Sequence, residues 1–158
     1  DQGITDIIDL RGEASHEGFV AQHAENITYH WLGVDDEGDR RSNEGFEAIE
    51  AAAQLVLQDP SRKVVIHCHM GVNRGPSAAF TALITHGVDP IQALTQIRSA
   101  RPVAAILYSF DAVQWYARRQ GKSEQVVADL YQAVYDWHVE NPLDLRYCIQ
   151  QIGSRYAA

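Results

Sequence analysis

His67-Cys68-His69-Met70-Gly71-Val72-Asn73-Arg74 places a thiol, two imidazoles, a glycine and a guanidinium in one short segment. It follows the apolar run Val64-Val65-Ile66 and precedes Gly75-Pro76-Ser77 and an alanine-rich stretch. A buried structural cysteine needs none of that punctuation. A thiol is nucleophilic as the thiolate, and a helix N-terminus or a nearby cation lowers a cysteine pKa from about 8.5 to between about 3.5 and 7.5. A guanidinium presents a planar fork that matches two oxygens of a phosphate. Cys68 at the start of the loop and Arg74 at its end therefore offer a nucleophile and an anion clamp. That chemistry suits attack on phosphorus through a cysteinyl-phosphate.

The flanking elements must position those groups. Lys63 to His67 reads as a short apolar strand, expected to be central and buried on both faces. A helix follows, with Pro76 at its first position, running from Ala78 to His86 and stopping at Gly87. A loop between such a strand and helix turns backbone amides outward, and the helix dipole adds partial positive charge. Gly71 and Gly75 are expected to allow turns that a side chain would block, and Asn73 to tolerate a left-handed conformation. Upstream, Ile4 to Leu10 and residues 25–34 read as strands, separated from a helix beginning near Asn43 by the polar loop 35–45. Downstream, Asp89-Pro90 opens one helix, Ser109 to Gln120 forms another, and residues 99–110 connect them. The order implies an α/β fold, a largely parallel sheet flanked by helices. Residues 122–158 add two C-terminal helices, the last opened by Asn141-Pro142. The expected division is an α/β domain at 1–121 and a helical extension at 122–158 packed on it.

HCHMGVNR is similar to the His-Cys-x5-Arg signature of the protein tyrosine phosphatase superfamily. Over residues 3–120 the chain resembles the small dual-specificity phosphatases, with a strand, an acidic loop and a helix before the signature. The resemblance implies a cysteine-dependent phosphatase that acts on phosphate monoesters of proteins, phosphotyrosine and also phosphoserine or phosphothreonine, without cofactor or metal. It implies Cys68 as nucleophile, and Arg74 with the loop 69–74 (His69, Met70, Gly71, Val72, Asn73) as the phosphate cradle. His67 and Ser77 would support the loop from behind. An upstream aspartate would protonate the leaving oxygen. The candidates are Asp35, Asp36 and Asp39, and the family pattern of strand end, one residue, aspartate favours Asp36. Arg11 resembles a structural arginine after the first strand. Three departures stand out. Gly75 replaces the usual Ser or Thr after the signature arginine, with Ser77 the nearest hydroxyl. Ile106-Leu107 stands where many members carry Pro-Asn. The family's opening strand, expected before Gly3, is missing or only partly present.

Composition bounds the alternatives. At 158 residues and 46% apolar, the chain suits one globular core. A net charge of −8 argues against nucleic acid or an anionic membrane as partner. The expected partner is a phosphorylated protein or small phosphomonoester. No apolar stretch approaches the roughly 18 residues of a membrane span, and Asp1-Gln2-Gly3 does not read as a secretory signal. Cys68 and Cys148 are expected as free thiols in a reducing, cytoplasmic compartment, with Cys148 packing on a helix face. His67 and His69 alternate around Cys68, but a second pair at zinc spacing is absent. The cradle carries no lysine for extra phosphates, and His69 is expected to supply at most a partial charge there. Arg40 and Arg41 are either contacts for a substrate's acidic neighbours or a solvated turn. Trp137, Tyr131 and Tyr135 read as core. The rival functions are a phosphate-binding module that does not turn over and a rhodanese-like sulfur transferase.

Overall fold

The structure, a computed structural model, describes residues 2–36 and 41–156. Three parallel strands, β1 (Asp6–Arg11), β2 (Thr28–Val34) and β3 (Val64–His67), form a sheet in the order β2-β1-β3. Asp6 pairs with Thr28 on one side and with Val64 on the other. β1 is therefore the central strand, and its Ile8 and Leu10 are fully buried. β3 lies at an edge and is only partly covered, which corrects the expectation of a central strand there. Its short apolar run faces α3 on one side only.

The helices are α1 (Glu17–His23), α2 (Asn43–Leu57), α3 (Arg74–Thr85), α4 (Pro90–Ala100), α5 (Ser109–Arg119), α6 (Glu124–Glu140) and α7 (Leu145–Tyr156). The sequence pattern predicts no helix at α1, a seven-residue helix whose Val20 is buried. α3 is buried nearly all round, because Gly75, Ser77, Ala78 and Ala82 let neighbours approach closely. On one side Ala78 packs with Ile8, Leu10, Ile49 and Cys68. On the other, Phe80 and Ile84 join Phe46, Leu94, Val113, Val134 and Trp137. Val134 and Trp137 come from α6, so that helix shares the main core. Tyr131 and Tyr135 do not; both are exposed.

Helix ends follow from caps. Asp89 accepts from the amides of Ile91 and Gln92 ahead of Pro90. Ser42 and Ser123 cap α2 and α6. Asn141 does not open the last helix as expected. It closes α6 through Trp137 O, and Asp144 accepts the Tyr147 amide at 3.0 Å to start α7.

Two buried aspartates fix the sheet. Asp6 is bound by Arg62, Thr5 and His30. Asp9 is bound by Arg11, with Tyr29 Oη at 2.5 Å. Burial pushes the Asp9 carboxyl up, but hydrogen bonds from Arg11 and Tyr29 outweigh it and hold the pKa down to about 2. Arg11 is thus structural, as expected.

His138 on α6 meets Ser109 Oγ of α5 at 3.1 Å and stacks near Phe110. Burial, then the charge of Arg98, lowers its pKa from 6.5 to about 4. A depressed pKa contributes stability that is complete above the unfolded value and is lost as pH falls through the folded one. Thermal melts are expected to shift downward between pH 6.5 and pH 4, by on the order of 2 kcal/mol for this group. His138→Gln should flatten that part of the curve, and an unchanged slope would refute the assignment.

Candidate active site

Because the strands are parallel, β1, β2 and β3 end at the same edge of the sheet. Their following loops carry Glu13, Asp35-Asp36 and Cys68 to one place. Arg74, the first residue of α3, ties the three together. Its Nη1 and Nη2 donate to both carboxylate oxygens of Glu13, at 2.8 and 2.7 Å. Nη1 also donates to Val34 O at 2.9 Å, and Nε lies 3.4 Å from Asp36 Oδ2. Arg74 is only 4% exposed, and its Nε has no aligned hydrogen-bond partner. Hydrogen bonding to Glu13 raises the Arg74 pKa, and Cys68 lies close enough to add to the same electrostatic balance. Arg74 in turn pulls Glu13 down to about 2. His69 is near enough to Glu13 to act in the same direction.

Asp36 is the aspartate brought to this point. Its Oδ1 accepts from Asn73 Nδ2 and from Tyr108 Oη, both at 2.9 Å. Its Oδ2 is left facing Arg74. Asp35 instead sits against the backbone of Gly12. Asp39 and Arg40 lie outside the described residues. Burial, then the bond to Asp36, pushes the Tyr108 hydroxyl up to about 12, so it stays a donor.

The cradle differs from expectation in its details. α3 begins at Arg74, two residues before Pro76. Gly71 does adopt a left-handed φ of 65°, and the Arg101 guanidinium fills the space a Cβ would need. Arg101 donates to the carbonyls of Gly71 and Met70. Asn73 is not left-handed (φ −122°). Its side chain is a hub, donating to Asp36 and accepting from the Leu107 amide at 2.7 Å and from Ser77 Oγ at 3.3 Å. Ala105 N donates to Val72 O at 2.7 Å. The connector before α5 thus supports the loop without a Pro-Asn pair, using Ile106 at a φ of 58° to make the turn. Met70 also borders a small cavity closed by Tyr147 and Ile152, so α7 abuts the loop from outside.

Gly75 has a packing role rather than a turning one. A Cβ there would stand 3.1 Å from Cys68 N and 3.2 Å from His67 C. The backbone of α3 touches the backbone that delivers the thiol. Gly75→Ser is expected to destabilise the fold by about 1 kcal/mol, read as a lower urea midpoint. A rise in the midpoint would contradict the close approach. Ser77 is buried and its hydroxyl is engaged, donating to Asn73 and accepting from Tyr108 N.

Cys68 is 7% exposed and is a free thiol, as is Cys148. It packs on Ile8 and Ala78 yet also lines a cavity of about 390 Å³ with His69 and Arg101. His67 reaches Asp9 Oδ2 at 3.7 Å and the Cys68 carbonyl at 3.4 Å, so it braces the strand end. Arg41 is not a solvated turn. Its guanidinium lies over the Tyr108 ring, 5.9 Å from the centroid. Among the described residues no group of three His, Cys, Asp or Glu side chains is placed to hold a metal ion. No helix there is long and apolar enough to cross a membrane.

Glu13, Tyr108 and Arg101 did not emerge from the sequence. Glu13 follows Arg11-Gly12 and reads as a solubilising turn residue. Only the parallel pairing of β1 with its neighbours puts it opposite Arg74. No family model matches the chain, and no curated protein matches it. The geometry of these residues therefore carries the functional argument.

Proposed function

We propose that the chain is a cysteine-dependent phosphatase, similar to the small dual-specificity enzymes, that hydrolyses phosphate monoesters of proteins. The observation that supports it is the meeting of Asp36 with Arg74 and Asn73 at the mouth of the loop that starts at Cys68. In this reading Cys68 Sγ attacks phosphorus, and the P–S bond forms as the ester P–O bond breaks. The loop amides, the α3 N-terminus and the Nε edge of Arg74, which faces Asp36, hold the equatorial oxygens. Glu13 keeps the other edge of the fork aimed. Asp36 Oδ2 gives its proton to the leaving oxygen. Water then attacks phosphorus, Asp36 takes its proton, and the Cys68 thiolate leaves. An attacking thiol must stay reduced, which suits the cytoplasm.

The test is phosphate release from an aryl phosphate in EDTA, with acid-quenched protein searched for phosphate on Cys68. Steady release with label on Cys68 supports the reading, and label elsewhere or none removes it. Asp36→Asn is expected to lower kcat/KM by about 10²- to 10⁴-fold for alkyl phosphates, and less for nitrophenyl phosphate, whose leaving group needs no proton. Equal losses on both substrates would take the acid role from Asp36.

One second reading has observations behind it. Ser77's hydroxyl is engaged and Gly75 supplies none, so hydrolysis of the phosphoenzyme could lack help and leave a phosphate-binding module. Release that stops after one equivalent would favour it.

A further inference from the structure

A cavity of about 410 Å³ opens between α2 and α5, beside the site just described. Phe46 and Trp115, with ring centroids 5.3 Å apart, form part of its wall. Most of its charges are already paired. Arg119 meets Glu50 at 2.9 Å and Glu47 at 3.6 Å, and Arg118 meets Glu124 at 2.9 Å. Asp111, in the first turn of α5, also lines the cavity. Arg41 differs. Its Nε is buried without a hydrogen-bond partner, and no carboxylate among the described residues forms an ion pair with it. Its guanidinium rests on Tyr108, whose hydroxyl holds Asp36. Arg41 therefore stands between the cavity and the phosphate cradle.

We propose that this cavity is a second subsite, anchored by Arg41, for an acidic residue adjoining the phosphorylated residue of a peptide substrate. The acidic group is a carboxylate or a second phosphate. The inference rests on the phosphatase reading for the first subsite. A partly buried guanidinium whose Nε is unsatisfied, with no ion pair among the described residues, is costly, and an anion arriving there recovers that cost. Burial lowers the Arg41 pKa, and Arg74 adds to that while Tyr108 and Asp36 oppose it, so the net effect is downward. The two aromatic rings can cover the aliphatic stem of the acidic side chain. The net charge of −8 repels acidic peptides at long range, so selection for them must be made by a local cation.

The experiment compares phosphotyrosine peptides that differ only at the neighbouring residue: Gln, Glu or phosphothreonine. Hydrolysis is measured, and binding of the non-hydrolysable phosphonate versions is measured by calorimetry. Wild type is expected to favour Glu over Gln by about tenfold in both readouts, as for a charge-assisted hydrogen bond. Phosphothreonine should be favoured at least as much. In Arg41→Gln the Glu-to-Gln ratio should fall to about one, and Arg41→Lys, which keeps charge without the fork, should fall between. Circular dichroism confirms that each variant is folded, and the ratio within a variant is insensitive to a general loss of activity. Hydrolysis without any preference, or a ratio unchanged in Arg41→Gln, overturns the subsite and leaves the phosphatase reading standing. Preferential, Arg41-dependent binding with no hydrolysis supports the subsite and removes the phosphatase reading.

Discussion

Cys68→Ser is expected to lower phosphate release by about 10⁵-fold or more, to the level left by the rest of the site. A serine hydroxyl is not ionised near neutral pH and is a poor nucleophile unless a base activates it. His67 is not placed to be that base, since it reaches towards Asp9 and the Cys68 carbonyl. The exchange is nearly isosteric. It places a hydroxyl against Ile8, Leu10 and Ala78, at a cost of about 1–3 kcal/mol. The variant should therefore fold, melt somewhat lower, and still bind orthovanadate or inorganic phosphate, because the cradle amides and Arg74 are untouched. A cysteine that only fills the core would show the same loss of stability with activity intact. Activity and stability measured on one sample separate the two.

Arg74→Lys is expected to lower kcat/KM by about 10²- to 10³-fold, the scale of losing one preorganised charge donor. Lysine keeps the charge, but an ammonium is a single point and cannot reproduce the planar fork. Arg74 spans Glu13 after β1, Val34 and Asp36 at the end of β2, and the loop it closes. A lysine meets at most part of that set, so the loops lose their common tie and the melting temperature should also fall. Glu13→Gln separates positioning from chemistry. It weakens the hold on the fork without removing the fork, so phosphate binding should survive it. Protons do not perform that release near neutrality. Glu13 has a pKa of about 2 against an ordinary 4.5, so its bond to Arg74 is intact above 4.5 and is lost only as pH falls towards 2. Wild-type kcat/KM in Arg74→Lys would exclude Arg74 from the reaction.

Some of this was legible along the chain because it is local. Cys68 and Arg74 fall in one turn between an apolar strand and a small-residue helix, and that spacing alone brings thiol and guanidinium together. Asp36 was reachable through the family pattern at a strand end. Helix limits at Asp89 and Gly121 were readable from cap chemistry, which involves residues two or three apart. The same local logic failed at Asn141, which donates to Trp137 O and ends α6, while Asp144 caps α7.

What tertiary structure decided lies far apart in sequence. Glu13 meets Arg74 and Tyr108 meets Asp36 across separations of 61 and 72 residues. Each is an ordinary turn or connector residue in its own neighbourhood. They converge because three strands run parallel and end at one edge, and strand order is not written in any single strand. Gly75 belongs to the same class. In the sequence it is a missing hydroxyl, but in three dimensions it is the point where the α3 backbone touches the backbone of Cys68. The sequence by itself determined which groups could do chemistry. Their aim, and the anion that Arg74 already holds, came from long-range packing that no local spacing encodes.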